Sequence, residues 1–548
     1  MKIRFVLFFV VALFELVSVA QVTPKNTYWV ALKDKKGTLY QISNPGAFLS
    51  QRAINRRVRQ NISIDETDLP VSAVYLDTLR KRGLELIHSS KWLNGTTIRT
   101  ADTALIRKIA GLPFVTSVQL TKPGVITKSG KTKFNESTLN SDASPADYGN
   151  AYTQFRQLNG QYLHNLGFRG NEIQIAVLDA GFWHVNEIEA FDSLRTNNRI
   201  LGLRDLVDPQ SDFYQQHTHG MSVLSCMGGY QSGQLIGTAP DAAYYLIRTE
   251  DAATEYLIEE DNWVAGAEWA DSLGVDVINS SLGYNEFDDP DMNHVYPDMN
   301  GETTRITQGA NMAFQKGILV VCSAGNEATN VWKRIIAPSD GVNVLAVAAV
   351  DKNGIRSSFS SVGPAFGGAV KPNVAAMGGA TYLVTSSGVP GNSDGTSFSS
   401  PVLSGMAACL IQANPDANVK QVKSAIEQSA HQYNKPDSLL GYGIPDFEKA
   451  DKYLKINNVK RFDPENSWLV SPNPFSDYLL LTNQNPGSWK DGTVSIFDLQ
   501  GIILWQSGFN STEQIWLDNL ASLPEGFSIL SIRSGEKEER FKVIKITR

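Results

Sequence analysis

The segment IQIAVLDAG, residues 173–181, is an apolar run that ends in a carboxylate and a glycine. A strand that is apolar on both faces is typical of a parallel sheet covered by helices on each side. The same texture recurs in AAYYLIRT (242–249), VDVINSS (275–281), ILVVCSAG (318–325) and VLAVAAV (344–350). Helical patterns such as Tyr256–Leu273 and Ile306–Lys316 lie between these segments. Residues 150–457 are therefore predicted to form an α/β domain with a mainly parallel central sheet.

The regions on either side of this domain have different textures. Residues 21–125 mix short strands with helices, which predicts a small α+β domain. Residues 468–548 contain short alternating strands separated by Gly, Asn and Asp turns, which is typical of a small antiparallel β-sandwich. A polar stretch, Lys128 to Asp147, predicts a linker over 126–149 that is open to proteolysis, and 458–467 is a second linker.

The first twenty residues have the pattern of a secretory signal peptide. Lys2 and Arg4 precede the apolar run Phe5–Phe14, and the small residues Ser18 to Ala20 offer a cleavage site. Ten apolar residues are too few to cross a bilayer, which takes about 18. We expect an exported, soluble protein.

Charge and cysteine content narrow the function classes. The 548-residue chain has a net charge of −7, which gives no support for a nucleic-acid partner. Four arginines, Arg52, Arg56, Arg57 and Arg59, are expected on a solvated helix face. The odd set Cys226, Cys322 and Cys409 allows at most one internal disulfide, and their apolar neighbours favour buried free thiols.

Four polar residues follow or precede the predicted buried elements. Asp179 ends the first strand, and Asn326 follows ILVVCSAG. His219 and Ser397 each precede an apolar helical run, Ser397 within SDGTSFSSPVLSGMAACLIQA (393–413). A serine nucleophile needs an imidazole base, the base needs a carboxylate, and the oxyanion needs fixed donors. Together the four residues supply what acyl transfer requires.

Each of these residues also has a structural interpretation. Ser397 suits a helix N-cap, and Asp179 suits a turn cap. Pro401 is expected in the first helical turn, where its missing N–H does little harm. His217 competes with His219 as the base, and the glycine after His219 favours the latter.

The segments VLDAG, HGMSVLSCMGG, SAGNEA and GTSFSSPVLSG resemble the active-site blocks of the subtilisin-like serine proteases. The resemblance covers residues 150–455 and implies a three-layer subtilisin-like fold and endopeptidase activity. It implies Asp179 as the residue that orients the base, His219 as the general base, Ser397 as the nucleophile and Asn326 as the oxyanion donor.

The resemblance extends to substrate binding and has two departures. NSSLGY resembles the strand segment that pairs with substrate, so Ser281, Leu282 and Gly283 are expected to bind an extended peptide through the main chain. Ala180 stands where the family usually has Ser or Thr, and Met221 stands where it usually has Thr. Both substitutions bear on the tuning of the Asp179–His219 pair.

The flanking domains also resemble known families. Residues 27–122 are similar to the inhibitory prodomain of Bacteroidetes-type subtilases. Residues 468–548 are similar to the C-terminal sorting domain of the type IX secretion system, with an adhesive or carbohydrate-binding sandwich as the alternative. The resemblance implies a zymogen that is secreted or held at the cell surface via the periplasm. Its expected partners are protein or peptide substrates, its own prodomain and the secretion machinery, and we expect a monomer.

No cofactor is expected, with one candidate for structural calcium. The insertion at 287–304 concentrates Asp288, Asp289, Asp291 and Asp298, which are hard oxygen ligands, although a solvated acidic loop explains them as well. The main alternative to a peptidase is a non-catalytic cell-surface binding protein on the same fold. An esterase with the same catalytic residues is a further alternative.

Overall fold

The fold is that of a computed structural model, which describes residues 23–126, 133–134, 148–457, 467–483, 489–510 and 514–546. The predicted signal peptide lies outside the described residues, as do most of the two predicted linkers.

The N-terminal elements form an antiparallel sheet with helices against it. In chain order they are β1 (Asn26–Leu32), α1 (Gln51–Arg59), α2 (Ala73–Lys81), β2 (Glu85–Ser90), β3 (Gly95–Thr100), α3 (Thr103–Ala110) and β4 (Val115–Lys122). The strand order is β2-β3-β1-β4, and Val30, Leu79, Ile98 and Ile109 are buried at its core. Side chains start two of the helices, since Ser50 caps α1 and Asp102 caps α3.

The central elements form the α/β domain that the apolar segments predict. They are α4 (Tyr152–Gln157), α5 (Gln161–Asn165), β5 (Gln174–Asp179), α6 (Asp192–Thr196), β6 (Ile200–Asp205), α7 (His219–Gly228), β7 (Tyr230–Gln231), β8 (Leu235–Ile236), β9 (Ala243–Arg248), α8 (Ile258–Leu273), β10 (Val277–Ser280), α9 (Arg305–Gln315), β11 (Leu319–Ser323), β12 (Leu345–Val350), β13 (Val374–Met377), β14 (Thr381–Val384), β15 (Pro390–Ser393), α10 (Thr396–Ala413), α11 (Val419–Ser429) and α12 (Phe447–Asn457).

A seven-stranded sheet with the order β13-β12-β11-β10-β5-β9-β6 is the middle of three layers. Every neighbouring pair is parallel. Alternate residues of β5 face opposite layers: Ile175 and Val177 pack with α7 and α10, whereas Ala176 and Leu178 pack with α8 and α9. The predicted subtilisin-like α/β architecture is confirmed.

The five predicted strands are the five central strands of this sheet, and the two edge strands were missed. β6 is only partly buried, so it lacks the apolar run that marks the interior strands. β13 is fully buried, but its apolar segment VAAM is only four residues long and is flanked by the polar Asn373 and by Gly378.

The C-terminal strands form two antiparallel sheets around their own core, as predicted. They are β16 (Trp468–Ser471), β17 (Leu479–Asn483), β18 (Gly492–Phe497), β19 (Ile503–Phe509), β20 (Gln514–Leu517), β21 (Gly526–Ser534) and β22 (Lys537–Lys545). One sheet has the order β16-β17-β20 and the other β19-β18-β21-β22. Leu481, Ile496 and Leu530 are fully buried between them.

The N-terminal domain is docked on α8 by buried ion pairs, which overturns the expectation of a solvated arginine face. Arg56 and Arg57 are only 2% and 1% exposed. The carboxylate of Asp271 accepts from Arg56 at 2.5 Å, from Arg57 at 2.8 Å and from Lys91 at 2.9 Å. These cations lower the pKa of Asp271 although its burial opposes the shift. The spacing of the arginines along α1 is that of an exposed helix face. They are buried because the central domain covers them.

A second carboxylate of α8, Glu268, holds the loop between β2 and β3. Its oxygens accept from the backbone N–H groups of Lys91 at 2.8 Å and Trp92 at 3.0 Å, and from the Ser90 hydroxyl. The N-terminal and central domains therefore meet through the ion pairs of Asp271 and the hydrogen bonds of Glu268.

Replacing Asp271 with Asn should weaken this interface, because three buried cations would lose their shared anion. Removing one partner of a buried charge pair costs about 3 kcal/mol or more. Calorimetry of the full chain should show the transition of the docked domains at a lower temperature. Asp77→Asn on the exposed face of α2 is the matched control, and an equal shift in both variants would contradict this assignment.

Candidate active site

The predicted site residues lie at one edge of the central sheet. Asp179 is the last residue of β5, and its carbonyl accepts from Thr249 N–H just beyond β9 at 3.0 Å. Ser281 follows β10, and Asn326 follows β11 by three residues. The parallel register brings these strand ends to the same edge, and the N-termini of α7 and α10 lie there too.

Asp179 and His219 form a buried hydrogen-bonded pair. The Nδ1 atom of His219 lies 2.7 Å from Asp179 Oδ1, and Ala180 N–H donates to the same oxygen at 2.8 Å. Asp179 is fully buried and His219 is 2% exposed. The other carboxylate oxygen, Oδ2, is buried with no hydrogen-bond partner among the described residues. A serine or threonine at position 180, as is usual in the family that this segment resembles, would carry a hydroxyl that Ala180 lacks.

His217, the other candidate for the base, has a different contact. Nδ1 of His217 accepts the backbone N–H of His219 at 3.2 Å, so it satisfies a free donor at the start of α7. The side chain that bonds the buried carboxylate is His219, which agrees with the sequence-based preference.

The glycine after His219 permits the close approach of α7 to β5. A Cβ atom on Gly220 would lie 2.5 Å from the carbonyl oxygen of Gly181 and 2.8 Å from Asp179 Cβ. Neither neighbour is the end of a flexible side chain. Glycine is thus required for the distance between the imidazole and its carboxylate.

Ser397 is the second residue of the buried helix α10 and is 8% exposed. Its Oγ lies 3.3 Å from the carbonyl oxygen of Ser281, and Ser281 Oγ donates to the Ser397 carbonyl at 2.8 Å. These contacts join the helix start to the end of β10.

Pro401 explains why the Ser397 carbonyl is available to Ser281. Helix α10 begins at Thr396, so Pro401 is its sixth residue and not part of the first turn as predicted. In an α-helix the residue at 401 would donate to the carbonyl at 397, and proline has no N–H to donate. Ser281 supplies the missing donor.

The side chain of Asn326 is fixed by the residue before Ser397. Its Oδ1 accepts from the Thr396 backbone N–H and from Thr396 Oγ1, both at 2.9 Å. Because the oxygen is held there, the NH₂ group of the amide faces the other way, and no described residue accepts from it. The amide is assigned in this orientation by its hydrogen bonds.

The predicted substrate-binding residues lie between these groups. Leu282 is buried in the core on the α8 side, and a Cβ atom on Gly283 would meet Ile336 at 2.4 Å. With Ser281 they continue the chain directly from β10. The side chains of Ser281 and Leu282 are engaged by the Ser397 contact and by core packing.

Two neighbouring residues that sequence analysis missed, Lys133 and Phe134, lie beside the predicted site. The ring of Phe134 packs on His219 with centroids 4.1 Å apart and on His217 with centroids 4.7 Å apart. Lys133 inserts into a cluster of Glu250, Glu255 and Glu259. The available signal is the acid-rich stretch TEDAATEYLIEED (249–261), of which the sequence analysis covers only the part within the predicted helix Tyr256–Leu273.

The carboxylates of the predicted calcium loop are engaged elsewhere. Asp288 accepts from Glu255 N–H at 3.1 Å, and Asp289 and Asp298 cap short turns. Within the described ranges, the one group of three carboxylates close enough to share a cation is Glu250, Glu255 and Glu259. The calcium candidate at 287–304 therefore does not form a converging site.

The three cysteines are buried free thiols, as predicted. Burial raises the pKa of Cys322 to about 12 and raises those of Cys226 and Cys409 as well. A thiol held in its neutral form is a poor nucleophile.

Three family models match successive parts of the chain. The Subtilase family matches residues 170–443, half of the chain, and the Peptidase S8 propeptide domain of Bacteroidota matches residues 27–137. The Secretion system C-terminal sorting domain matches residues 469–546. The chain belongs to the subtilase family and is a serine endopeptidase made with a propeptide and a sorting domain.

Curated relatives agree with this assignment. Subtilisin DY of Bacillus licheniformis is 28% identical over 287 residues, which is 52% of this chain and 92% of the relative. Subtilisin E of Bacillus subtilis (strain 168) is 27% identical over 280 residues, 50% of this chain and 64% of the relative. The crystal structure of MycP1 with the N-terminal propeptide removed aligns with a TM-score of 0.43 and 23% identity, over 55% of this chain and 96% of that one.

The family and the C-terminal domain indicate a secreted serine protease. Across the described ranges, every helix is too short or too polar to cross a membrane.

Substituting Gly220 with Ala should separate His219 from Asp179 and reduce peptidase activity. A displacement of about 1 Å in such a pair costs about 100-fold in rate. The loss should appear in kcat of the purified enzyme. Gly46→Ala, where an added Cβ meets no atom within 4 Å, is the control and should leave activity unchanged. Full activity in Gly220→Ala would refute the steric argument.

Proposed function

We propose that this protein is a secreted endopeptidase that cleaves peptide bonds through Ser397, His219 and Asp179. The observation that carries the proposal is the buried hydrogen bond of 2.7 Å between Asp179 and His219, at the sheet edge where Ser397 starts a helix. A buried carboxylate fixes the imidazole tautomer and stabilises the cation that forms on proton uptake.

In the proposed mechanism, Ser397 Oγ attacks the scissile carbonyl while Nε2 of His219 takes its proton. His219 then gives that proton to the leaving amine, and an acyl group remains on Ser397. Water, activated by the same imidazole, releases the acyl group. Asp179 stays ionised throughout and acts on the imidazole alone.

Asn326 and the start of α10 are proposed to stabilise the tetrahedral oxyanion. Thr396 holds the oxygen of the Asn326 amide, so the NH₂ group is oriented before substrate arrives. The N–H of Ser397 lies in the first turn of α10, where backbone donors have no partner within the helix. Donors that need no reorganisation stabilise developing charge most effectively.

The substrate is proposed to be an extended peptide paired with residues 281–283. Their main chain extends beyond Ser280, where the pairing of β10 with β5 and β11 ends, and an extended segment of this kind can bind a peptide through backbone hydrogen bonds. This supports a protein or peptide substrate over a short ester.

The flanking domains are proposed to control when and where this site acts. We assign residues 1–20 to a signal peptide, 21–125 to an inhibitory prodomain and 126–149 to a linker that is cut on activation. Residues 150–457 form the peptidase domain, 458–467 a second linker and 468–548 the sorting domain. The sorting domain supports export through the type IX machinery by way of the periplasm, and we propose that the enzyme acts as a monomer.

A fluorophosphonate probe should label wild-type protein on Ser397. Ser397→Ala should abolish both labelling and casein hydrolysis, because no hydroxyl remains for acylation. Mass spectrometry of the labelled peptide locates the adduct, and Ser399→Ala is the matched control within the same helix. Casein hydrolysis at the wild-type rate in Ser397→Ala would overturn the proposed mechanism, and a protein that never labels would favour the binding-protein alternative.

Replacing Asn326 with Ala should lower kcat by about 10²–10³ with little change in KM, since the amide acts on charge that appears only in the transition state. Steady-state kinetics on a peptide substrate measure both constants. Asn330→Ala, in the same loop, is the control. A rise in KM at constant kcat would instead assign Asn326 to substrate binding.

A further inference from the structure

Three carboxylates, two of them buried and one half-buried, lie together beside the edge of the sheet that carries Asp179. Glu250 follows β9, Glu255 lies in the next loop and Glu259 is in the first turn of α8; one oxygen from each lies within 4.8 Å of the others. Glu250 is 4% exposed and Glu259 is 1% exposed. Burying like charges together is costly unless a cation enters the cluster.

Two of the carboxylate oxygens are unsatisfied. Oε1 of Glu255 and Oε1 of Glu259 are buried and have no hydrogen-bond partner among the described residues. Burial, together with the charge of Glu250, raises the pKa of Glu255 to about 8. Buried acceptors without a donor among the described residues require an explanation, and the occupant of the cluster is the first group to consider.

The ammonium group of Lys133 occupies this cluster. Its Nζ lies 3.0 Å from Glu250 Oε1, 2.9 Å from Glu255 Oε2 and 3.0 Å from Glu259 Oε2. It also lies 3.0 Å from the carbonyl oxygen of Asp251, and the side chain is 11% exposed. The three carboxylates raise the pKa of Lys133 although burial opposes this.

The next residue reaches the catalytic histidine. Phe134 packs on the His219 ring at 4.1 Å between centroids. The dipeptide Lys133-Phe134 thus spans the distance from the acidic cluster to the proposed general base. The cluster also lies close to Asp179 in the sheet, because Thr249, the residue before Glu250, donates its backbone N–H to the Asp179 carbonyl.

We infer that Glu250, Glu255 and Glu259 form a pocket of the substrate cleft that selects a lysine side chain immediately before the residue that packs on His219. The inference rests on the proposed function, since it assigns the substrate preference of that site. Lys133-Phe134 is then the chain's own occupant of the cleft, and it must leave before a substrate of the same pattern can bind.

The occupant that the structure places in the cluster is an ammonium group, since Lys133 Nζ contacts four of its oxygens. Calcium takes six to eight oxygen ligands and would need the remaining carboxylate oxygens as well. An ammonium group has three donors on one atom and suits acceptors that converge on a point. Arginine has a planar fork, which suits a single carboxylate face, so the pocket should prefer lysine.

Paired peptides test the inference with wild-type enzyme purified after expression of the full chain. One peptide carries residues 129–138, and the other carries norleucine in place of Lys133, which keeps the carbon chain and removes the ammonium group. Each competes against hydrolysis of a reporter substrate. We expect the norleucine peptide to bind about 10- to 100-fold more weakly, because buried charges lose their partner.

The variant Glu259→Gln should shrink this ratio several-fold, and Glu302→Gln, on an exposed loop, should leave it unchanged. Fluorophosphonate labelling of each variant establishes that the site is folded. If Glu259→Gln does not fold, the ratio measured on wild-type enzyme decides the question alone.

The outcomes separate the two proposals. Enzyme that labels and hydrolyses the reporter but binds both peptides equally overturns the lysine pocket and leaves the peptidase mechanism intact. Enzyme that neither labels nor hydrolyses overturns the peptidase mechanism and the pocket with it. If millimolar calcium chloride abolishes the difference between the peptides, the cluster is a metal site and the inference is wrong.

Discussion

The parallel register of β9, β5, β10 and β11 is the constraint on which the site depends. Leu178 of β5 pairs with Ser280 of β10, and Ser280 pairs with Cys322 of β11, so the chain leaves these strands at one level. Groups that are far apart in sequence therefore meet without a dedicated loop to carry each of them. The buried Asp179–His219 bond and the Asn326–Thr396 contact are consequences of this register.

Helix α8 binds both the N-terminal domain and Lys133 through buried charges. Its first turn carries Glu259, and its last two turns carry Glu268 and Asp271. The helix dipole stabilises a carboxylate at the N-terminal end, where Lys133 binds. The other two bind the N-terminal domain, and all three are buried. A buried charge that has lost its partner is strongly destabilising, so separating either the N-terminal domain or Lys133 from α8 carries a free-energy cost.

Much of the architecture follows from local pattern. Apolar runs identified the five interior strands, and the blocks around Asp179, His219, Asn326 and Ser397 placed four polar residues at element ends. The edge strand β6 was missed because it is only partly buried, and β13 was missed because its apolar segment extends no further than the four residues VAAM. Pro401 was misplaced by one turn because a helix start cannot be fixed to the residue from sequence.

The sequence by itself determined the fold class, the interior strands of the central sheet and the polar residues at the ends of its elements, because these depend on periodicity and side-chain type. Tertiary structure alone decided which charges are buried. The sequence predicts Arg56 and Arg57 on an exposed face, and only the structure shows Asp271 opposite them. Likewise, only the structure brings Lys133 among Glu250, Glu255 and Glu259. Burial of a charge is a property of two surfaces that meet, and neither surface encodes its partner locally.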